Sequence, residues 1–131
     1  MRYTFTKSER LKNEKEITKL FSEGASISVF PLKLIYMESS FPENNLIKIA
    51  VTASKRNFKK AVVRNRLKRM MRELFRLNKH EIYSYLDNKK YVMMLMYVGK
   101  KEEKMELLQT NMEHLIEKLG EKLRTASTVK K

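Results

Sequence analysis

Hydrophobic and polar positions alternate along this chain with two periods. In NEKEITKLFSEG, Ile17, Leu20 and Phe21 repeat at the i, i+3, i+4 spacing of one helical face. Asn13 is a good N-cap with Glu16 three residues on, and Gly24 stands where a C′ glycine ends a helix. ISVFPLKLIYME is rich in β-branched and aromatic residues and predicts a strand, with Pro31 marking an edge position or a break in its first part. After the turn SSFPENN, LIKIAVTAS alternates, with Ile47, Ile49 and Val51 on one face and Lys48 and Thr52 on the other. The two strands read as a hairpin.

A helix is predicted over about 59–77. Its apolar residues Val63, Leu67, Met70, Met71 and Leu74 fall within an arc of about 100° at 100° per residue, a stripe suited to lie on a sheet. NKHEIYSYLDNKK reads as a connector or a short helix. YVMMLMYV is apolar on both faces and predicts a buried central strand. The last helix carries Met105, Leu108, Met112, Leu115, Ile116, Leu119 and Leu123 as its stripe. The order is α-β-β-α-β-α, with room for one more strand before the 59–77 helix. It implies an α+β fold, a compact sandwich of helices on a small mixed sheet of four strands or fewer, containing a βαβ unit. Residues 1–124 are expected to form a single domain and 125–131 a loose basic tail.

Charge changes the picture. Across 131 residues, 29 Lys+Arg face 15 Asp+Glu, a formal net charge of +14. Between Lys55 and Lys79 stand Lys55, Arg56, Lys59, Lys60, Arg64, Arg66, Lys68, Arg69, Arg72, Arg76 and Lys79, against the single acid Glu73. Charge serving solubility would be dispersed; this concentration is a binding footprint for a polyanion, nucleic acid before an anionic membrane surface. Cysteine is absent, which excludes disulfides and thiol catalysis and fits a reducing, cytoplasmic setting. No secretory signal or membrane span is expected.

The 59–77 helix bears this charge at a cost. Arg64, Lys68, Arg72 and Arg76 follow at i+4 spacing, and each like-charge pair costs roughly 0.2–0.5 kcal/mol in an isolated helix. Lys59, Lys60 and Arg64 crowd an N-terminal end where the helix dipole disfavours cations. A merely solvated basic face is one explanation. A phosphate-facing helix is the stronger one, because the guanidinium fork grips phosphate oxygens in pairs. Asn65 adds an amide that could bond a 2′-hydroxyl or a base edge, or could be an ordinary exposed polar residue.

KRNFKKAVVRNRLKRMMRELFR resembles the RNR signature of the bacterial ribonuclease P protein component. TFTKSERLKNEKEITKLFSEG is similar to that family's opening, a basic stretch before a helix with an apolar or aromatic pair and a closing Gly. LIKIAVTASK matches the strand before the signature, and the likeness spans roughly residues 4–98. There are two departures: KRNFKKA, with Phe58, has no Gly where the family often has one shortly before the signature helix, and Ile17 takes the first aromatic position of the N-terminal helix.

The resemblance implies a left-handed βαβ crossover, where the general rule for such units is right-handed. It implies a partnership, expected to be 1:1, with one large catalytic RNA that removes the 5′ leader of precursor tRNA using Mg²⁺ held mainly by the RNA. Carried over by match, Arg64, Asn65, Arg66, Lys68, Arg69 and Arg72 would contact that RNA, helped by Lys55, Arg56 and Lys60. Ile17, Phe21, Phe30 and Tyr36 would line a cleft for the leader, with Lys7, Ser8 and Arg10 at its mouth. Phe21 and Phe30 could equally be core residues.

Nothing in the chain suggests a protein catalyst. An independent nuclease needs clustered carboxylates or a partnered His. Asp87 is the one Asp, and His80 and His114 lie in separate segments. His114 and Glu117 share a helix face without a second pair. The alternatives are a ribosomal or general structured-RNA-binding protein with no processing role, a DNA-binding module, which lacks a clear helix-turn-helix, and a membrane-surface helix, which would expose a stripe needed for the core. Replacing Arg64, Arg66 and Lys68 together by Ala is expected to weaken RNA binding and flatten its salt dependence, as counterion release requires. An unchanged salt slope in a filter-binding titration would remove these residues from the interface.

Overall fold

The computed structural model describes residues 9–129, with side chains to Arg124. Lys7 and Ser8 lie outside the described residues. The elements are α1 (Glu14–Glu23), β1 (Ala25–Val29), β2 (Leu32–Glu38), β3 (Ile47–Ala53), α2 (Ala61–Ser84), β4 (Tyr91–Tyr97) and α3 (Met105–Val129). The strands form one mixed sheet in the order β1-β2-β4-β3. β1–β2 and β2–β4 are antiparallel, and β3–β4 is parallel with α2 as the crossover.

The α+β class and the extra strand agree with expectation; the strand pairing does not. ISVFPLKLIYME is two strands, the break reading of Pro31. The chain reverses at Phe30–Pro31, joined by a cis peptide bond, and Ala25 to Val29 pair back on Tyr36 to Leu32. The expected hairpin between LKLIYME and IKIAVTA is absent, because β4 lies between them: Leu95 is opposite Leu34 on one side and Val51 on the other. The physical reason lies in β4 itself. Val92, Met93 and Leu95 are 0 % exposed, so both faces must be covered, and a central position also pairs both edges.

Two cores result. On one face, α2 lies over β3 and α3 over β1 and β2, burying Leu34, Ile47, Ile49, Met93 and Leu95 against Leu67, Met71, Leu74, Phe75, Leu108 and Leu115. On the other, α1 lies over β2 and β4 and seals a smaller cluster of Leu11, Leu20, Ile35, Phe41, Val92 and Met94. Leu67, Met71, Leu74 and Phe75 are fully buried. At about 1.5–3 kcal/mol each, they outweigh the roughly 1 kcal/mol of like-charge repulsion along α2.

Both long helices outrun their predicted ends. α2 continues through the expected connector to Ser84, because Ile82 extends the apolar stripe and the buried polar residues find partners. Asn78 Nδ2 donates to Leu74 O at 2.7 Å and to Gln109 Oε1 of α3 at 3.0 Å. Residues 125–129, expected to be a tail, continue α3. At the N-terminus of α1, Asn13 Oδ1 accepts from the amides of Lys15 and Glu16, a cap worth about 1 kcal/mol.

Gly24 corrects another expectation. Its φ of −74° and ψ of 152° are extended, so it is not a left-handed C′ residue. It is needed for space: a Cβ there would stand 2.5 Å from Leu20 O and 2.8 Å from Ile35 Cγ2. Gly24→Ala is therefore expected to destabilise the fold by about 1–3 kcal/mol by forcing α1 off β2. A urea midpoint equal to that of the parent would show that α1 is not seated so closely.

Candidate nucleic-acid interface

The site begins with the turn entering α2. Phe58 is buried, its ring packed edge-on to Tyr97 with centroids 5.8 Å apart. Its amide donates to Ser54 O, and Ser54 Oγ accepts from the Arg56 amide. Asn57 Nδ2 reaches the carbonyls of Val98 and Gly99. A buried ring and a hydrogen-bonded loop thus hold this turn, which has no glycine. Lys60 caps α2 without a side-chain bond. Instead, Arg64 Nη1 folds back and donates to Phe58 O at 2.7 Å and Lys59 O at 3.0 Å.

The exposed arc of α2 carries the charge. Asn65, Arg66, Arg69 and Arg72 are exposed, and Arg64 and Lys68 half-buried; Lys55, Arg56 and Lys60 are exposed in the loop before the helix. The set divides by flank. Arg66 points toward the segment before α3, where Glu102 accepts from Nε at 2.7 Å and Nη2 at 3.1 Å. That carboxylate raises the Arg66 pKa above its ordinary value, first through the hydrogen bonds. Arg72 lies toward β3, where it borders a cavity of about 390 Å³ with Arg10, Lys12 and Ile49, Ala50 and Val51 of β3. Among the described residues, Arg66 is the one member of the predicted RNA-binding set held by an acid of its own fold. That pair is exposed, and exposed pairs are weak and screened by salt. Arg76, outside the set, pairs with Glu73 at 2.8 Å and holds that carboxyl below the ordinary range.

The four residues predicted to line a second, aromatic cleft are not brought together. Ile17 and Phe21 share α1: Ile17 packs on the smaller cluster, and Phe21 is 51 % exposed. Phe30, 71 % exposed, lies in the β1–β2 turn, six strand-like steps or roughly 20 Å beyond Gly24. There it borders a separate recess with Val98, Gly99, Lys100 and Lys101. A core role is thus excluded for both rings. Tyr36 is a correction. It alternates with Leu32 and Leu34, is buried in the larger core opposite α1, and its hydroxyl pKa is raised by that burial. Reading Pro31 as a chain reversal, with β2 starting at Leu32, would have put Tyr36 on that face.

The α1 face of the sheet presents other residues instead. Lys33, Met96 and Thr52 align across β2, β4 and β3, each half-buried. Thr52 and Met96 floor a recess of about 540 Å³ walled by Ser54, Lys55, Arg56 and Asn57. Lys55 and Arg56 therefore face this recess as well as the start of α2. Lys33 and Met96 were missed, although the alternation of Lys33, Ile35 and Met37 against Leu32, Leu34 and Tyr36 carries the signal. No group of three or more His, Asp or Glu that could hold a metal occurs among the described residues. No helix among them is long and apolar enough to cross a membrane.

A family model described as Ribonuclease P matches residues 5–120. The chain belongs to the ribonuclease P protein family. It is similar to a ribonuclease P protein component of Porphyromonas gingivalis, 38 % identical over 87 residues, which is 66 % of this chain and 64 % of that relative. One from Chlorobium phaeobacteroides is 36 % identical over 84 residues, 62 % of this chain and 58 % of that protein. The matches thus span somewhat less than two thirds of these relatives. The fold is that of the Staphylococcus aureus RNase P protein, with a TM-score of 0.68 at 20 % identity over 85 % of this chain and 94 % of that one. It is also that of the Thermotoga maritima protein, with a TM-score of 0.66 at 20 % identity over 84 % and 96 %.

Burial separates the candidate aromatics experimentally. Tyr36→Ala is expected to cost about 3–5 kcal/mol in chemical denaturation, as truncation of a buried aromatic does. Phe21→Ala should change stability by no more than about 1 kcal/mol, as an exposed position allows. Equal losses at both positions would return Phe21 to the core.

Proposed function

We propose that this protein is the protein subunit of a ribonuclease P ribonucleoprotein and assists 5′ maturation of precursor tRNA. Family membership supports the reading, and the observation that carries it is the exposed basic arc of α2, where an acid of the fold engages only Arg66 among the described residues of the set. In this reading Asn65, Lys68, Arg69 and Arg72 lie against the large catalytic RNA, and Arg66 exchanges Glu102 for a phosphate. Arg64 also holds the turn that sets the start of the helix. The leader passes over the α1 face, meeting Phe21 and the recess floored by Thr52 and Met96 rather than Tyr36. A ring stacks on any base for about 1–3 kcal/mol, which suits a leader of variable sequence.

Cleavage chemistry is assigned to the RNA subunit and its Mg²⁺. Mg²⁺ favours carboxylate and water oxygens, and the described side chains offer no carboxylate cluster to fit it. The protein's part is positioning and charge neutralisation, in a 1:1 complex in the cytoplasm. The test is reconstitution: protein, a bacterial ribonuclease P RNA and a precursor tRNA, with cleavage followed at physiological Mg²⁺. Cleavage should require the protein at low Mg²⁺, and no stimulation over RNA alone would refute the role. Phe21→Ala is expected to weaken precursor binding by about tenfold, from the loss of one stack, and to leave mature tRNA binding unchanged. Equal losses for both RNAs would remove Phe21 from the leader path.

A further inference from the structure

Glu9 is the least exposed charged residue described, at 1 %, and it lies just before the basic residues Arg10 and Lys12. Its carboxylate is held from α2: Lys79 Nζ donates to Oε1 at 2.8 Å, and the Tyr83 hydroxyl donates to Oε2 at 2.5 Å. Lys79 is 9 % exposed and also lies 5.9 Å from the Tyr83 ring centroid. Burial, then the neighbouring carboxylate, raises the Tyr83 pKa, so its hydroxyl stays a donor. Beyond Glu9 the Leu11 side chain is buried in the smaller core, and two backbone contacts tie the chain to β3. Arg10 forms an isolated parallel bridge with Ile49, and the Leu11 amide donates to Ile49 O at 3.0 Å.

A buried ion pair is a poor way to gain stability, since desolvation offsets most of the attraction and apolar residues would seal the same space as well. What it adds is position. One carboxylate gripped by two donors fixes the start of a segment whose other anchors are the buried Leu11 side chain, its amide on Ile49 O and the Arg10 bridge. The segment so placed completes the cavity of about 390 Å³ in which Arg10 and Lys12 come together with Arg72 of α2. Three cationic side chains from segments about sixty residues apart converge there on an open concavity at the β3 edge, beside the basic arc.

We propose that Glu9, Lys79 and Tyr83 form a buried latch that holds residues 9–12 against β3, so that Arg10, Lys12 and Arg72 make a pocket for an RNA phosphodiester. The inference rests on the RNA-binding reading above and adds positioning residues and a phosphate site to it. Arg10→Ala/Lys12→Ala should reduce the slope of log K against log salt by about 0.7–0.9 for each phosphate that is no longer neutralised. Glu9→Gln should produce a similar reduction, and the triple variant should lose no more than the double, as expected for residues acting through one pocket. A readout independent of RNA is hydrogen exchange at the Leu11 amide, which should accelerate in Glu9→Gln while amides of β4 keep their protection. Should Glu9→Gln unfold, Tyr83→Phe removes one donor, keeps the ion pair and should accelerate the same amide.

Binding is measured with three probes: a bacterial ribonuclease P RNA, a precursor tRNA with its leader, and mature tRNA. A slope change confined to the precursor supports the pocket with a leader phosphate, and one with the ribonuclease P RNA supports it with a phosphate of the subunit. Unchanged slopes with every RNA, an unaltered Leu11 amide, or additive effects of Glu9→Gln and Arg10→Ala/Lys12→Ala would overturn the inference while leaving the general RNA-binding role intact. Failure of the parent protein to bind any of the three RNAs would overturn both.

Discussion

Burial of β4 on both faces and both edges is the constraint on which the rest of the structure depends. A strand reading YVMMLMY has no face to give to water, so one layer of helices must cover it on each side. The larger layer, α2 and α3, takes most of the apolar surface. The smaller, α1 with Leu11 and Phe41, leaves part of the sheet open beside it. The recess above Thr52 and Met96 lies on that thinly covered face.

Within this frame the basic helix is stable despite its charge. Its apolar stripe is fully engaged, so repulsion along the outer arc is a small term against burial. The fold also places its acids sparingly against that arc. Glu102 engages Arg66 at an exposed position, where a polyanion can compete with it, and Glu73 engages Arg76 farther along. The one acid buried among the described residues, Glu9, is paired with Lys79 at the far end of α2 and leaves the RNR segment uncovered. Such an arrangement keeps cationic density where a phosphate backbone would lie.

Much of this was legible from local patterns. The stripe Val63, Leu67, Met70, Met71 and Leu74, the clustered Arg and Lys beside it, the doubly apolar β4 and the stripe of α3 all appear as periodicities within single segments. Tyr36 was carried into the cleft by family likeness alone, and it lies instead on the face of the larger core with Leu32 and Leu34. The parity of a strand depends on where it starts, and a shift of one residue exchanges its faces. The extension of α2 to Ser84 was hidden because Asn78 and Lys79 look like surface residues, and their partners are Gln109 and Glu9, 31 and 70 positions away.

Helical period, strand alternation and charge density act over a few residues, so the order of elements, the basic arc and the apolar character of β4 needed only the chain itself. Which strands are neighbours, which face Tyr36 occupies, and that Arg10 and Lys12 meet Arg72 were decided by long-range packing. The insertion of β4 between β2 and β3 is favoured by burying its two faces and pairing its two edges at once, a gain that exists only when segments far apart in sequence assemble together.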